Sequence, residues 1–308
     1  MSFDITLTNV LVTIMYVIPG FLLCKAKKAS ADHLSTVSAI LIYIGTPCMV
    51  ISTFMNIEFS WAQMQNMGLF FVATLFLQAA FMAVLYGVLR KKYEISKYRL
   101  LTIASVMGNV GFFGLPIVRA LIPGNPEAQA YSIIYVVTMN ILVFTMGAYC
   151  LTKETKYMSL KAAIINPTIL SFLVALPLHM LGLRSAVSDT LFNSVELVGK
   201  LTTPVCMFVL GIRLATVSLK KLFARPFVYV MCVLKMVVFP LFCYAAVYFL
   251  PVSYAFKASI LILSATPCAS VIQMMSEMYK GDAELSANCV LMSTLLCFIT
   301  IPLVTLVL

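Results

Sequence analysis

Ten apolar runs divide the chain, at 6–24, 34–57, 64–89, 100–122, 129–151, 161–181, 191–212, 226–249, 256–277 and 285–308. Each is long enough to cross about 30 Å of hydrocarbon as a helix, which takes roughly 20 residues. A backbone in lipid satisfies its own hydrogen bonds, and a helix does so within one segment. Polar residues fall in short connections, none of which holds a soluble domain. The pattern predicts an all-α membrane protein with ten transmembrane helices.

Composition supports that class. The 308 residues are 62% hydrophobic and 10% charged, whereas soluble domains are about half apolar and a quarter charged. The net charge of +10 would raise nucleic acid in a soluble protein. Here the basic residues cluster between apolar runs, and no nucleic-acid partner is expected. Sixteen Lys and Arg occupy one alternate set of connections, Arg213, Lys220, Lys221 and Arg225 among them, against Arg119, Arg184 and Lys257 in the other. That bias places the first set in the cytoplasm. It predicts a multi-pass protein of the plasma (inner) membrane with both termini extracellular or periplasmic. The N-terminus carries Asp4 and no basic stretch, and its apolar run, lacking a cleavage motif, reads as the first span.

Other chemistries find little support. The nine cysteines lie in or at the ends of apolar runs without a CxxC pair, as small hydrophobes do. His33 and His179 are the only histidines, so no metal site is expected. Gly108, Gly111 and Gly114 lie inside a span, not between a strand and a helix, and make no phosphate loop. No HExxH, nucleophile elbow or carboxylate pair points to an enzyme, and no cofactor is expected.

Shifting the chain by 157 residues against itself aligns Thr46-Pro47 with Thr203-Pro204, Asn9 with Asn166, Gln78 with Lys235 and Asn109 with Thr266. The chain thus reads as two five-span repeats, 1–152 and 161–308. Five is odd, so the second enters the membrane inverted, a recurring design of secondary transporters.

Two spans are poor continuous helices. The fourth holds Gly108, Asn109, Gly111, Gly114 and Pro116; the ninth runs Ser264-Ala265-Thr266-Pro267-Cys268-Ala269-Ser270. Glycine lets the chain unwind, and proline removes a donor. Freed backbone groups at membrane depth need partners in protein, water or ligand. Half-helix N-termini meeting near the midplane suit an anion. Pro47, Pro116, Pro204 and Pro267 mark expected breaks or kinks, and Asn166-Pro167 a further kink.

Lys235 stands about ten residues from either end of its run, too deep to reach the interface by snorkelling. Four roles are open to it: pairing with a substrate carboxylate, standing in for a bound cation, exchanging a proton, or satisfying backbone carbonyls. The amides of Gln78, Asn109, Asn140 and Gln273 are candidates near a site. Glu196 and Lys200, four apart, suit a structural ion pair, and Glu277 and Asp282 are expected in solvent.

The fourth-span sequence Gly108-Asn109-Val110-Gly111-Phe112-Phe113-Gly114-Leu115-Pro116, with the two Thr-Pro pairs, resembles bacterial members of the auxin efflux carrier family. That family includes the plant PIN carriers and bacterial malate and malonate permeases, and is distantly similar to the bile acid:sodium symporters. The resemblance implies a scaffold of spans 1, 2, 6 and 7 (6–57, 161–212) that also forms a homodimer. It implies a mobile transport domain of spans 3–5 and 8–10 (64–151, 226–308), in which broken helices 4 and 9 cross. Asn109 would then be a direct ligand of a small organic anion, with Gly108, Gly111, Thr266, Pro267, Lys235 and Gln273 as further binding candidates. Gln78, Asn140 and Lys235 are candidates for coupling or support. Glutamine at 78 and lysine at 235 depart from relatives with acidic groups, leaving coupling to sodium or protons open. The 152–160 loop is too short for the regulation seen in the plant carriers. The expectation is a secondary transporter working by elevator-type alternating access, with an anion receptor or a channel on the same fold as rivals.

Overall fold

The computed structural model describes residue 8, residues 11–12, residues 15–216 and residues 225–308. Asp4, Asn9 of the first apolar run, Lys220 and Lys221 lie outside the described residues. In chain order the elements are α1 (Val17–Lys25), α2 (Ala31–Met55), α3 (Trp61–Lys92), α4 (Ser96–Ala104), α5 (Val110–Leu121), α6 (Pro126–Thr152), α7 (Pro167–Met180), α8 (Asp189–Thr216), α9 (Pro226–Tyr248), α10 (Tyr254–Ser264), α11 (Val271–Met278) and α12 (Ala283–Val307). Among the described residues six of these, α2, α3, α6, α8, α9 and α12, are each long and apolar enough to cross a membrane. A seventh joins them if α7 is counted with Thr155–Ile164, to which it is bent by 45°. The protein is a multi-spanning all-α bundle. Its extended pairing among the described residues is one antiparallel bridge, Gly108 opposite Cys268.

Polar caps start the helices where apolar runs begin. The Ser60 hydroxyl accepts from the Gln63 amide at 3.2 Å, Asn125 Oδ1 from Ala128 at 2.9 Å, and Asp282 Oδ1 from Leu285 at 2.9 Å. Each cap satisfies an N–H that has no partner inside its own helix. Asn166 does the same for Thr168 at 3.0 Å, with Pro167 following. The bend before α7 therefore comes from a cap and a proline in sequence.

Three of the expected proline breaks lie elsewhere or do not occur. The chain stays helical through Pro47 and Pro204, and Pro116 lies within α5. Proline crowds the preceding turn and cannot donate to it. Ahead of Pro47 and Pro116, the turns Leu41–Gly45 and Val110–Gly114 widen to π geometry, and the same occurs at Leu234–Val238 before Pro240. A wider turn accommodates the ring without ending the helix.

Glycines set the closest packing. An added methyl at Gly20 would strike the Phe208 carbonyl, and one at Gly211 the Val17 carbonyl, so α1 and α8 touch backbone to backbone. Gly199 lies close to the backbone of Met49 on α2, where a methyl would come within 2.9 Å, and α7 packs on α2 in turn. Such contacts let membrane helices gain dispersion energy where lipid offers no hydrophobic drive. Away from this group, α3 pairs with α6, α9 with α10 and α12, and α11 with α12. Polar and apolar residues are arranged opposite to a soluble protein: α3 exposes Val72, Phe76 and Val88 while burying Thr74 and Gln78. The Glu196–Lys200 pair forms at 2.7 Å on α8, and Asn56 adds a 3.1 Å bond to Glu196.

Candidate functional site

Helix α4 ends at Ala104 and α5 begins at Val110; α10 ends at Ser264 and α11 begins at Val271. The two intervening segments run antiparallel against each other. The Asn109 amide donates to the Pro267 carbonyl at 2.7 Å, and the Ala269 amide donates to the Met107 carbonyl at 3.1 Å. These two bonds supply partners for backbone groups that an unwound segment would otherwise leave unpaired. Their centre is Gly108 opposite Cys268. Cys268 is further held by Ser293 of α12, whose hydroxyl accepts from its amide at 2.9 Å.

Gly108 is required by what surrounds it. A methyl there would run into Thr266 Oγ1 and come within 3.0 Å of Lys235 Nζ. Lys235 lies in the widened turn of α9, fully buried, and its ammonium donates to the Ser264 carbonyl at 2.6 Å while standing 5.0 Å from the Phe239 ring centre. Ser264 is the last residue of α10, where the helix presents unpaired carbonyls and the negative end of its dipole. A cation at that position is electrostatically matched. At the end of α4 the Ala104 carbonyl receives the Cys268 thiol at 3.4 Å.

The other sequence candidates separate into two groups. Asn109 precedes α5, is half-buried, and its side chain does not cap the helix. Gly111, one residue beyond Val110, has open space out to Val136 at 3.7 Å. Pro267 lends its carbonyl to the pairing, and Thr266 turns its hydroxyl back to the Leu263 carbonyl at 2.7 Å. Gln78, by contrast, joins α3 to α6: its Nε2 donates to Thr138 Oγ1 and to the Thr74 carbonyl, both at 3.0 Å. Its Oε1 is buried without a partner among the described residues. Asn140 is buried on α6, two residues beyond Thr138. Gln273 donates to Glu277 one turn along α11, at 2.9 Å, and Asp282 caps α12.

Two residues that the sequence reading did not single out complete the picture. Arg213 was counted among loop charges because its apolar run ends at 212; α8 continues to Thr216. Its Nη1 donates at 3.1 Å to the hydroxyl of Ser270, the exposed residue just before α11. A basic residue directly abutting a predicted span end was the available signal.

The arrangement offers two helix starts, α5 and α11, within two residues of the paired amides of Asn109 and Ala269, and a lysine on the opposite, carbonyl-rich side. Nothing in it resembles a nucleophile with a base. A search among curated proteins gave no match. The profile of a family described as membrane transport protein matches residues 5–161 and 151–305, in keeping with the resemblance to auxin efflux carriers. With almost the whole length matched and helices that cross a membrane, the chain belongs to the membrane transport protein family, whose members move small molecules and are not enzymes.

Proposed function

We propose that the chain is a secondary active transporter of a small organic anion, a carboxylate, working by elevator-type alternating access. In this reading the ten apolar runs form two inverted five-helix repeats, 1–152 and 161–308. Residues 6–57 and 161–212 are the scaffold and pair as a homodimer; 64–151 and 226–308 move as the transport domain. The glycine contacts that lock α1 and α2 onto α8 support a rigid scaffold.

The observation that carries the reading is the antiparallel pairing of the two interrupted segments through Asn109–Pro267 and Ala269–Met107. It sets the starts of α5 and α11 beside one crossing, and each start offers unpaired N–H groups and a positive dipole end. The Asn109 amide adds a neutral donor and acceptor beside them. Lys235, seated on the Ser264 carbonyl, acts as a built-in cation for the end of α10. A bound sodium ion would serve the same electrostatic purpose in a chain without that lysine, so transport is expected to proceed without sodium.

A thermal-shift screen of malate, malonate and lactate on detergent-purified protein, with and without sodium, tests the reading. At least one carboxylate should raise the melting temperature equally in both salts, and Asn109→Ala should diminish that shift while remaining folded. Silence across the carboxylates, or an undiminished shift in N109A, overturns it. Flux into proteoliposomes then separates a carrier from a receptor on the same fold.

A further inference from the structure

Arg213 is placed against expectation for a basic residue in the last turn of a membrane helix. Such a side chain ordinarily reaches outward to water and headgroups, or binds the helix's own final carbonyls. Here the carbonyl role is taken by Lys25, whose Nζ donates to the Ala215 carbonyl at 3.0 Å. The Arg213 guanidinium instead crosses to Ser270, at the entrance of α11. It belongs to none of the ion pairs among the described residues.

Its position is fixed from behind. Gly211, two residues earlier, packs against the backbone of Val17 and Phe21, and Gly20 against Phe208, so this end of α8 cannot slide on α1 without a clash. The same helix packs against the first turn of α5, Val110–Gly114. Arg213 therefore rises from a rigid support toward the region where α5 and α11 begin.

The electrostatics there are incomplete. A guanidinium faces the positive end of α11 with only a neutral hydroxyl between them, and like polarities at close range repel. Ser270 occupies one of the five N–H donors that guanidinium offers in a planar fork. A carboxylate satisfies both sides at once, accepting from the fork and from the helix amides.

We propose that Arg213 is the specificity-determining residue for the carboxylate: it donates to the substrate's carboxylate, which displaces the Ser270 hydroxyl as its acceptor. This rests on the reading that the crossing binds an anion. It adds a charged ligand from α8 beside the neutral donors of the helix starts and Asn109, and so favours anions over neutral molecules of the same shape.

The test measures binding of malonate, lactate and malate to the full chain in detergent, for wild type, Arg213→Gln, Arg213→Lys and Ser270→Ala. Losing a charged hydrogen bond should weaken binding in R213Q by about ten- to a hundredfold. R213K should recover part of that loss by restoring the charge. S270A breaks the same Arg213–Ser270 bond yet leaves the guanidinium free, so its affinity should equal or exceed that of the wild type. A merely structural bond predicts the reverse, with S270A and R213Q falling together, and that result overturns the proposal. If R213Q does not fold, S270A and R213K decide together: a loss of affinity in S270A or an unchanged affinity in R213K refutes the assignment, and retained affinity in S270A with weaker R213K supports it. Wild type that binds none of malonate, lactate and malate removes the anion reading and this inference together; wild type that binds while R213Q binds equally removes only the role of Arg213.

Discussion

The two interrupted segments are built alike and finished differently. At the end of α10 the Ser264 carbonyl holds a buried ammonium at 2.6 Å, whereas at the end of α4 the Ala104 carbonyl meets a thiol at 3.4 Å. Their helix starts differ too: Ser270 before α11 is engaged by Arg213, while the Asn109 side chain before α5 caps nothing. Gln78, which the sequence aligns with Lys235, has turned away into a network with Thr74 and Thr138. Charge thus holds one arm of the crossing in place, and the other arm keeps an uncommitted amide. In the proposed reading, structural duty falls to the first arm and ligand duty to the second.

The largest expected effect comes from removing the charge on the held arm. Lys235→Ala leaves the Ser264 carbonyl buried and unpaired, a cost of about 1–3 kcal/mol, and should abolish uptake while lowering the melting temperature. Normal, pH-insensitive uptake in K235A would mean the lysine has no part in the cycle. Next, Gly108→Ala should cost about 1–3 kcal/mol by overpacking against Thr266 and Lys235. Gly111→Ala, facing only Val136 at 3.7 Å, should keep the wild-type melting temperature. Equal destabilisation of both glycine variants would show that the crossing is not packed as described.

On the uncommitted arm, Asn109→Ala should leave stability unchanged and weaken carboxylate binding by about three- to tenfold, the worth of a neutral hydrogen bond. The smallest effect belongs to Gln78→Leu. Thr138 keeps its bond to the Tyr135 carbonyl at 2.9 Å, and the unpaired Oε1 disappears, so chemical melts should agree with wild type within about 1 kcal/mol. A large loss in Q78L would show that the contact between α3 and α6 depends on the Gln78 amide.

Much of this was legible in the sequence, for identifiable reasons. Apolar runs of span length announce helices because lipid allows little else. The clustered glycines and polar residues at 104–116 and 264–273 marked where the helix stops. Lys235 stood out because a charge at the midplane is costly without a partner. Its partner could not be read, since a backbone carbonyl carries no sequence signal. Prolines misled: Pro47, Pro116 and Pro204 sit in continuing helix, two of them behind widened turns that sequence does not reveal. Arg213 was hidden by treating the end of hydrophobicity as the end of the helix.

The most direct test of the crossing as a carrier site is counterflow in proteoliposomes. Vesicles loaded with an unlabelled carboxylate identified by thermal shift should transiently concentrate the labelled form from outside. The rate should saturate, proceed without sodium, and fall in N109A. Uptake that never saturates, or no counterflow from folded protein with a bound carboxylate, would contradict a site that is opened to each side of the membrane in turn.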